Sequence, residues 1–321
     1  MHQQQAIKHR FINILHSITL ITVLAGIMTY LAYIIAGGIF AGFVLVAVVL
    51  LYIFNPNIAP SIILRMHNAR LLQYQDTPGL YHLLESLTQR AQLAYTPQLC
   101  YIPGPSINAF TTGSKHNAII ALSEGLLNEL NTQEIAGVLA HELSHLRHND
   151  IRVMTFANMT GQTTKLLSLA GQILVFVNLP LIMFSEIAIS WIPILLLIFA
   201  PIVTDLVQLA LSRVREFDAD LGSAALLNSP EPLMSALYKM EAAGSNYFSR
   251  LIFPRRELRL PSILRTHPTL QERIARLAQL RQLQPQRWQS VFDTPAQGFT
   301  PLPTQILAGR KPIRYWQYRR Y

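Results

Sequence analysis

One cysteine in 321 residues, Cys100, excludes a disulfide within the chain and leaves no Cys pair for a structural zinc site. A lone thiol is ordinarily a small buried side chain. Charge is also scarce: Asp, Glu, Lys and Arg make up 13% of the residues against 51% hydrophobic, too apolar a balance for an ordinary soluble protein. From Phe11 to Leu64 none of the four occurs. Within that stretch Ile18 to Phe54 holds two apolar runs separated by Ala36-Gly37-Gly38, each read as a bilayer-crossing helix, which needs about 20 residues. A signal peptide is the competing reading, since Lys8 and Arg10 precede the first run. That run exceeds a signal peptide's usual core of about 7 to 15 residues and a second follows almost at once, which favours a retained hairpin.

Leu166 to Ser185 and Ile187 to Thr204 are likewise free of charge, with only Glu186 between them, and read as a second transmembrane or deeply buried hairpin. Asn178, Pro180, Pro193 and Pro201 make it less uniform than the first. Neighbouring helices can re-satisfy the backbone groups that proline frees, and a re-entrant or partly protein-buried pair is the alternative.

The formal charge of +9 raises the question of nucleic acid. Membrane orientation explains it better: Lys8 and Arg10 precede the first hairpin, Arg65 and Arg70 follow it, and Arg213 and Arg215 follow the second. By the positive-inside rule both termini and both polar regions lie in the cytoplasm. The arginines after Arg250 fit a membrane-proximal surface, with no aromatic interleaving of a nucleic-acid pattern before the tail, so no nucleic-acid partner is expected.

Against these scarcities stands Ala140-His141-Glu142-Leu143-Ser144-His145-Leu146. Residues four apart share one helix face, so His141 and His145 can offer two imidazole nitrogens to one metal while Glu142 flanks it, the arrangement of a zinc hydrolase. The segment reads as a helix: Asn131 and Glu134 form a capping-box pattern, and Ile135, Val138, Leu139, Leu143 and Leu146 repeat at helical spacing. Beyond His145 the helical pattern continues through Val153 and Phe156 toward the second hairpin. Upstream, Thr77-Pro78-Gly79 starts a scaffold helix that Pro97 ends, and Gln98–Ile102, Ser106–Thr112 and Asn117–Leu122 read as three short strands.

A third ligand comes from Arg213-Val214-Arg215-Glu216-Phe217-Asp218-Ala219-Asp220, where Glu216 and Asp220 again share a helix face. Two crossings return this segment to the membrane side of His141 and His145. Glu216 can close the metal site and Asp220 can hold a ligand histidine from behind. Three protein ligands leave one position for water, the catalytic plan. His148 does not fit the spacing of a third histidine ligand and is read as a solvated helix residue, while His67 and His116 lack any partner pattern.

Together, the His-Glu-x-x-His, the downstream Arg-Glu-Phe-x-Ala-Asp and the two apolar hairpins resemble the HtpX-like membrane zinc endopeptidases, relatives of the CAAX prenyl proteases. The resemblance covers roughly residues 1 to 283. It extends to Asn108-Ala109-Phe110-Thr111-Thr112-Gly113, which looks like the family's Asn-Ala-Phe-Ala-x-Gly strand with Thr111 in place of Ala, and to Thr266-His267-Pro268 leading to Glu272-Arg273-Ile274. The resemblance implies that Asn108, Ala109 and Phe110 lie on an edge strand against which a substrate peptide pairs. It also implies that His267 steadies the tetrahedral intermediate.

The expected architecture is a mainly α membrane protein with a small β-sheet, a zincin-type catalytic domain attached to two transmembrane hairpins. Residues 1–55 form the first hairpin, 56–162 the sheet and motif helix, 163–211 the second hairpin, 212–283 the region of the third ligand, and 284–321 a tail of unassigned role. The expected activity is zinc-dependent endoproteolysis with one Zn2+ per chain, Glu142 as general base and His267 as catalytic partner. Polypeptides, above all misfolded or damaged membrane proteins, are the expected substrates at the cytoplasmic face of a bacterial inner membrane. CAAX-type processing, a non-catalytic zinc-binding scaffold and a cation transporter are the alternatives. Transporters place polar sites at mid-bilayer, whereas these ligands lie outside the charge-free blocks.

Overall fold

A computed structural model describes residues 2–54, 64–177, 179, 184, 191–251 and 270–283. These fall into two compact units, one drawn from the residues before 57 and from 152–214, the other from 64–151, 215–251 and 270–283.

The second unit contains a four-stranded sheet: β1 (Arg70–Leu71), β2 (Gln98–Ile102), β3 (Ala109–Thr112) and β4 (Ile119–Ser123), in the order β1-β2-β4-β3. β2 and β4 run parallel, with Cys100 opposite Ala121, while β1 pairs antiparallel to β2 and β3 antiparallel to β4. The order leaves β3 at an edge. Strand alternation then sorts the side chains. Leu99, Tyr101, Ile120 and Leu122 face the main core, whereas Cys100, Ile119 and Ala121 join a smaller cluster on the opposite face. Cys100 is fully buried there, and burial pushes its thiol up to about 12, so it packs as an inert side chain.

Helix α1 covers His2–Phe54 in the first unit, and α2 (Pro78–Arg90) covers the sheet. Pro78 occupies the first turn of α2, where its missing N–H costs nothing, and Leu80, Leu84 and Leu87 are buried, each contributing on the order of 2 kcal/mol. The expected run to Pro97 is not found. Gln92 takes φ +56°, and the Gln92 and Leu93 amides donate to Gln89 and Thr88 carbonyls, the paired closure of a Schellman end. A glutamine, not the usual glycine, fills the left-handed position, so the residues carry no stop signal there.

After α3 (Glu124–Glu129) comes the motif helix α4 (Thr132–His148). Its capping box is formed in both directions: Asn131 Oδ1 accepts from the Glu134 amide at 2.9 Å, and Glu134 Oε2 accepts from the Asn131 amide at 2.8 Å. Instead of running on through Val153, the helix ends at Asn149, whose φ of +59° is left-handed, and α5 (Asp150–Val177) begins anew. Asn tolerates this conformation because its short polar side chain can bond locally.

α4 is gripped by α6 (Trp191–Leu227) and α7 (Glu231–Leu251) at two glycines. A Cβ on Gly137 would lie 2.6 Å from the Leu233 amide nitrogen, and one on Gly222 would lie 2.0 Å from Ser144 Oγ. Ser223 Oγ donates to the Gly137 carbonyl at 2.9 Å. Small residues thus let α6 approach α4 closely, which brings the segment after Arg215 to the motif. The last helix, α8 (Leu270–Leu283), buries Leu277 with Leu233 and Leu237 of α7 and Ala224 of α6.

In the first unit α1 carries Gly37 at φ +80°. Met28 and Val48 both pack on Phe156 of α5; on a straight helix they would stand about 30 Å apart. Tyr52 meets the Phe156 ring edge-on at 5.3 Å, and Arg152 donates to the Tyr52 carbonyl at 2.6 Å. Among the described residues one segment, Ile194–Leu227, is long and apolar enough to cross a membrane, and Ile18–Tyr33 and Gly37–Leu50 are shorter apolar helices.

Candidate metal centre

His141 and His145 lie on one face of α4, one turn apart, with ring centroids 4.6 Å apart and planes nearly perpendicular. Their Nε2 atoms are 3.1 Å apart, and Glu216 Oε2, delivered by α6, stands 3.5 Å from His141 Nε2. One ligand atom from each of the three lies within 4.8 Å of the others. Two ligands of a tetrahedral zinc at ordinary bond lengths are about 3.3 Å apart, so this donor set fits a single small cation.

The Nδ1 atoms face away from that point and each meets an aspartate. Asp220 Oδ1 is 3.0 Å from His141 Nδ1, and Asp150 Oδ2 is 2.9 Å from His145 Nδ1. A carboxylate at Nδ1 fixes the tautomer that carries its proton there and frees the Nε2 lone pair for a metal. Each aspartate is in turn held by an arginine. Arg215 Nη1 is 3.0 Å from Asp150 Oδ1, and Arg273 of α8 binds Asp220 through Nε at 2.9 Å and Nη2 at 2.6 Å. Arg273 Nη1 also lies 3.0 Å from Glu216 Oε2.

This cluster is buried, and its titration follows from burial against pairing. Burial and the Arg273 charge press the His141 imidazole down, but its bonds to Asp220 and Glu216 outweigh them and raise it to about 9. Burial presses the Asp220 carboxyl up, and His141 and Arg273 together hold it below the ordinary carboxylate range.

Glu142 is buried beside the ligands, and the Thr111 hydroxyl of β3 donates to its Oε2 at 2.7 Å. Asn108 immediately precedes β3: its amide donates to Ser123 Oγ at 2.8 Å, and its carbonyl accepts from the Ser123 amide at 3.0 Å. Ala109 packs toward the main core, whereas Phe110 packs in the smaller cluster on the far face, its ring 5.4 Å from His67. His148 pairs with Ser144 Oγ at 3.4 Å and is not in the ligand group, and His116 stacks edge-on against Tyr95. His267 lies outside the described residues.

Three participants escape the sequence reading. Asp150 carries a signal only in hindsight, an acid five residues past His145, because a continuous helix would carry it to a different face. Arg215 reads as one more membrane-flanking cation. Arg273 lies in the matched Glu-Arg-Ile segment, but nothing local shows that its guanidinium turns into the site.

The family model for peptidase family M48 matches residues 75–281. The HtpX protease homologue of Streptococcus pyogenes serotype M28 is 34% identical over 237 residues, covering 68% of this chain and 78% of the relative, and that of serotype M5 matches over the same extent. The crystal structure of S. mikatae Ste24p aligns with a TM-score of 0.44 at 21% identity, over 84% of this chain and 66% of that one. The chain belongs to peptidase family M48, a family of metallopeptidases.

Proposed function

We propose that the protein is a membrane-bound zinc endopeptidase whose metal is held by His141, His145 and Glu216. The observation that carries this reading is the convergence of two Nε2 atoms and one carboxylate oxygen, with an aspartate behind each imidazole. Bound there, zinc supplies Lewis acidity that polarises a peptide carbonyl and acidifies a water. Glu142 takes the proton of the attacking water and returns it to the leaving amine, the task of a general base that later serves as acid. Asp220 and Asp150 hold the two imidazoles in register, and Arg273 keeps Asp220 ionised and pairs with Glu216. His267 donates a hydrogen bond to the oxyanion, worth roughly 3 kcal/mol in sites of this kind. On the β3 edge the outward-turned backbone groups of Ala109 pair with an extended substrate, with Asn108 and Phe110, which bond β4, on either side of it.

The membrane reading is supported by the apolar segment Ile194–Leu227 and by the shorter apolar helices on either side of Gly37. Lys165 and Asp205, which bound the two charge-free blocks of the second hairpin, are ion-paired at 2.9 Å, so both blocks start from one level. The arginine distribution assigns that level to the cytoplasmic side of a bacterial inner membrane, with the termini and active site facing the same compartment. The proposed domain division keeps residues 1–55 and 163–211 as the hairpins, 56–162 and 212–283 as the catalytic parts and 284–321 as a tail. Misfolded or damaged membrane proteins are the substrates that this location favours, in a quality-control role.

Metal analysis and a protease assay on wild type and a Glu216→Ala variant test this reading. Parallel loss of zinc and proteolysis is expected. Zinc binding without any proteolysis in the wild type would instead describe a scaffold.

A further inference from the structure

Thr111 sits on the edge strand β3 and Glu142 on the motif helix α4, and the Thr111 hydroxyl donates to Glu142 Oε2 at 2.7 Å, the range of a charge-assisted bond. The pleat of the strand directs the hydroxyl there: Ala109 shares the face of Thr111 and packs into the main core, while Phe110 between them turns to the opposite face. The donor's position is set by the ladder with β4, where Thr111 stands opposite Ile120, a fully buried residue. Among the described residues no other side chain bonds the Glu142 carboxylate.

We propose that Thr111 is a positioning residue for Glu142: its hydroxyl, carried on the edge strand, commits Oε2 and leaves Oε1 to face the attacking water. The proposal rests on Glu142 being the base of the reaction above. It also links two parts of that reaction, because the strand offered to a substrate peptide is the strand that holds the base. A peptide pairing along β3 stiffens the donor, and through it the carboxylate.

The test uses the full-length protein in detergent with zinc, casein as substrate, and Thr111→Val, Thr111→Ala and Thr111→Ser. T111V is expected to lower kcat about tenfold with KM within about twofold, at wild-type zinc content, and T111S to restore kcat to within about twofold. In metal-stripped protein the Tm changes of T111V and Glu142→Ala are expected to be non-additive by about 2 to 4 °C. Wild-type kcat in T111V, a serine variant no better than valine, or additive Tm changes would each overturn the proposal. Should T111V fail to fold, serine against alanine decides: equal kcat values overturn it, a serine advantage supports it. If Glu142→Gln cleaves as fast as wild type, the peptidase reading and this proposal fall together; if it is inactive while T111V is not, only this proposal falls.

Discussion

Asp150 Oδ2 stands 2.9 Å from His145 Nδ1 because α4 stops at Asn149 and the chain turns left-handed before α5 begins. The same break ties the carboxylate to Arg215, the neighbour in sequence of the proposed ligand Glu216. Asp150→Ala is therefore expected to weaken zinc binding about 10- to 100-fold, with Asp150→Asn less severe because the amide oxygen still accepts a hydrogen bond. Competition against a chelator measures this, and unchanged affinity in both variants would remove Asp150 from the site.

His141 titrates near 9 without metal, so it is charged at neutral pH and must lose a proton to become a ligand. Zinc binding at pH 7 is expected to release about one proton from this residue, and apparent affinity to rise about tenfold per pH unit below 9. The raised value also sets a sign for the metal-free protein. Its contribution to stability is full below the unfolded value of 6.5 and is lost as pH rises through 9, so metal-free Tm should fall across that window. Calorimetry in buffers of different ionisation enthalpy checks the proton count; a release near zero contradicts it.

Arg273 is buried against Asp220 and Glu216, and its removal leaves the two carboxylates with the His141 imidazole as their remaining cation. Breaking one side of such a buried pairing costs roughly 3 to 5 kcal/mol. Zinc replaces part of the missing positive charge. Arg273→Gln should thus lower Tm more in metal-stripped protein than in loaded protein, and equal losses in the two forms would show that the guanidinium does not balance the site's acids.

Gly137→Ala would ordinarily stabilise a helix interior by about 1 kcal/mol. At this position the added methyl meets the Leu233 backbone at 2.6 Å, and backbone cannot move aside as a side-chain tip can. The expected sign is reversed, with a lower Tm, since α7 must shift away from α4. A Tm equal to or above wild type would show that the helices are not in this contact.

How much of this was legible in the residues depends on whether the determining contacts are local. The face shared by His141 and His145, the Asn131–Glu134 box and the strand Gln98–Ile102 follow from spacing, and each is found with those residues. Glu216 and Asp220 share a face for the same reason. Asp150 and Arg273 could not be read, because one depends on a single left-handed residue and the other on how a distant helix docks. The end of α2 is not legible because Gln92 takes a conformation that composition assigns to glycine. A two-residue strand such as β1 carries too little pattern to announce itself.

The central claim is that Glu142 moves the proton at a zinc site built by its neighbours, and Glu142→Gln isolates that step because a zinc site of His141, His145 and Glu216 does not need it. Zinc content and casein cleavage should be measured together on the purified full-length variant. One equivalent of zinc with cleavage lowered at least a hundredfold is the predicted result. Full zinc with cleavage at the wild-type rate would contradict the account.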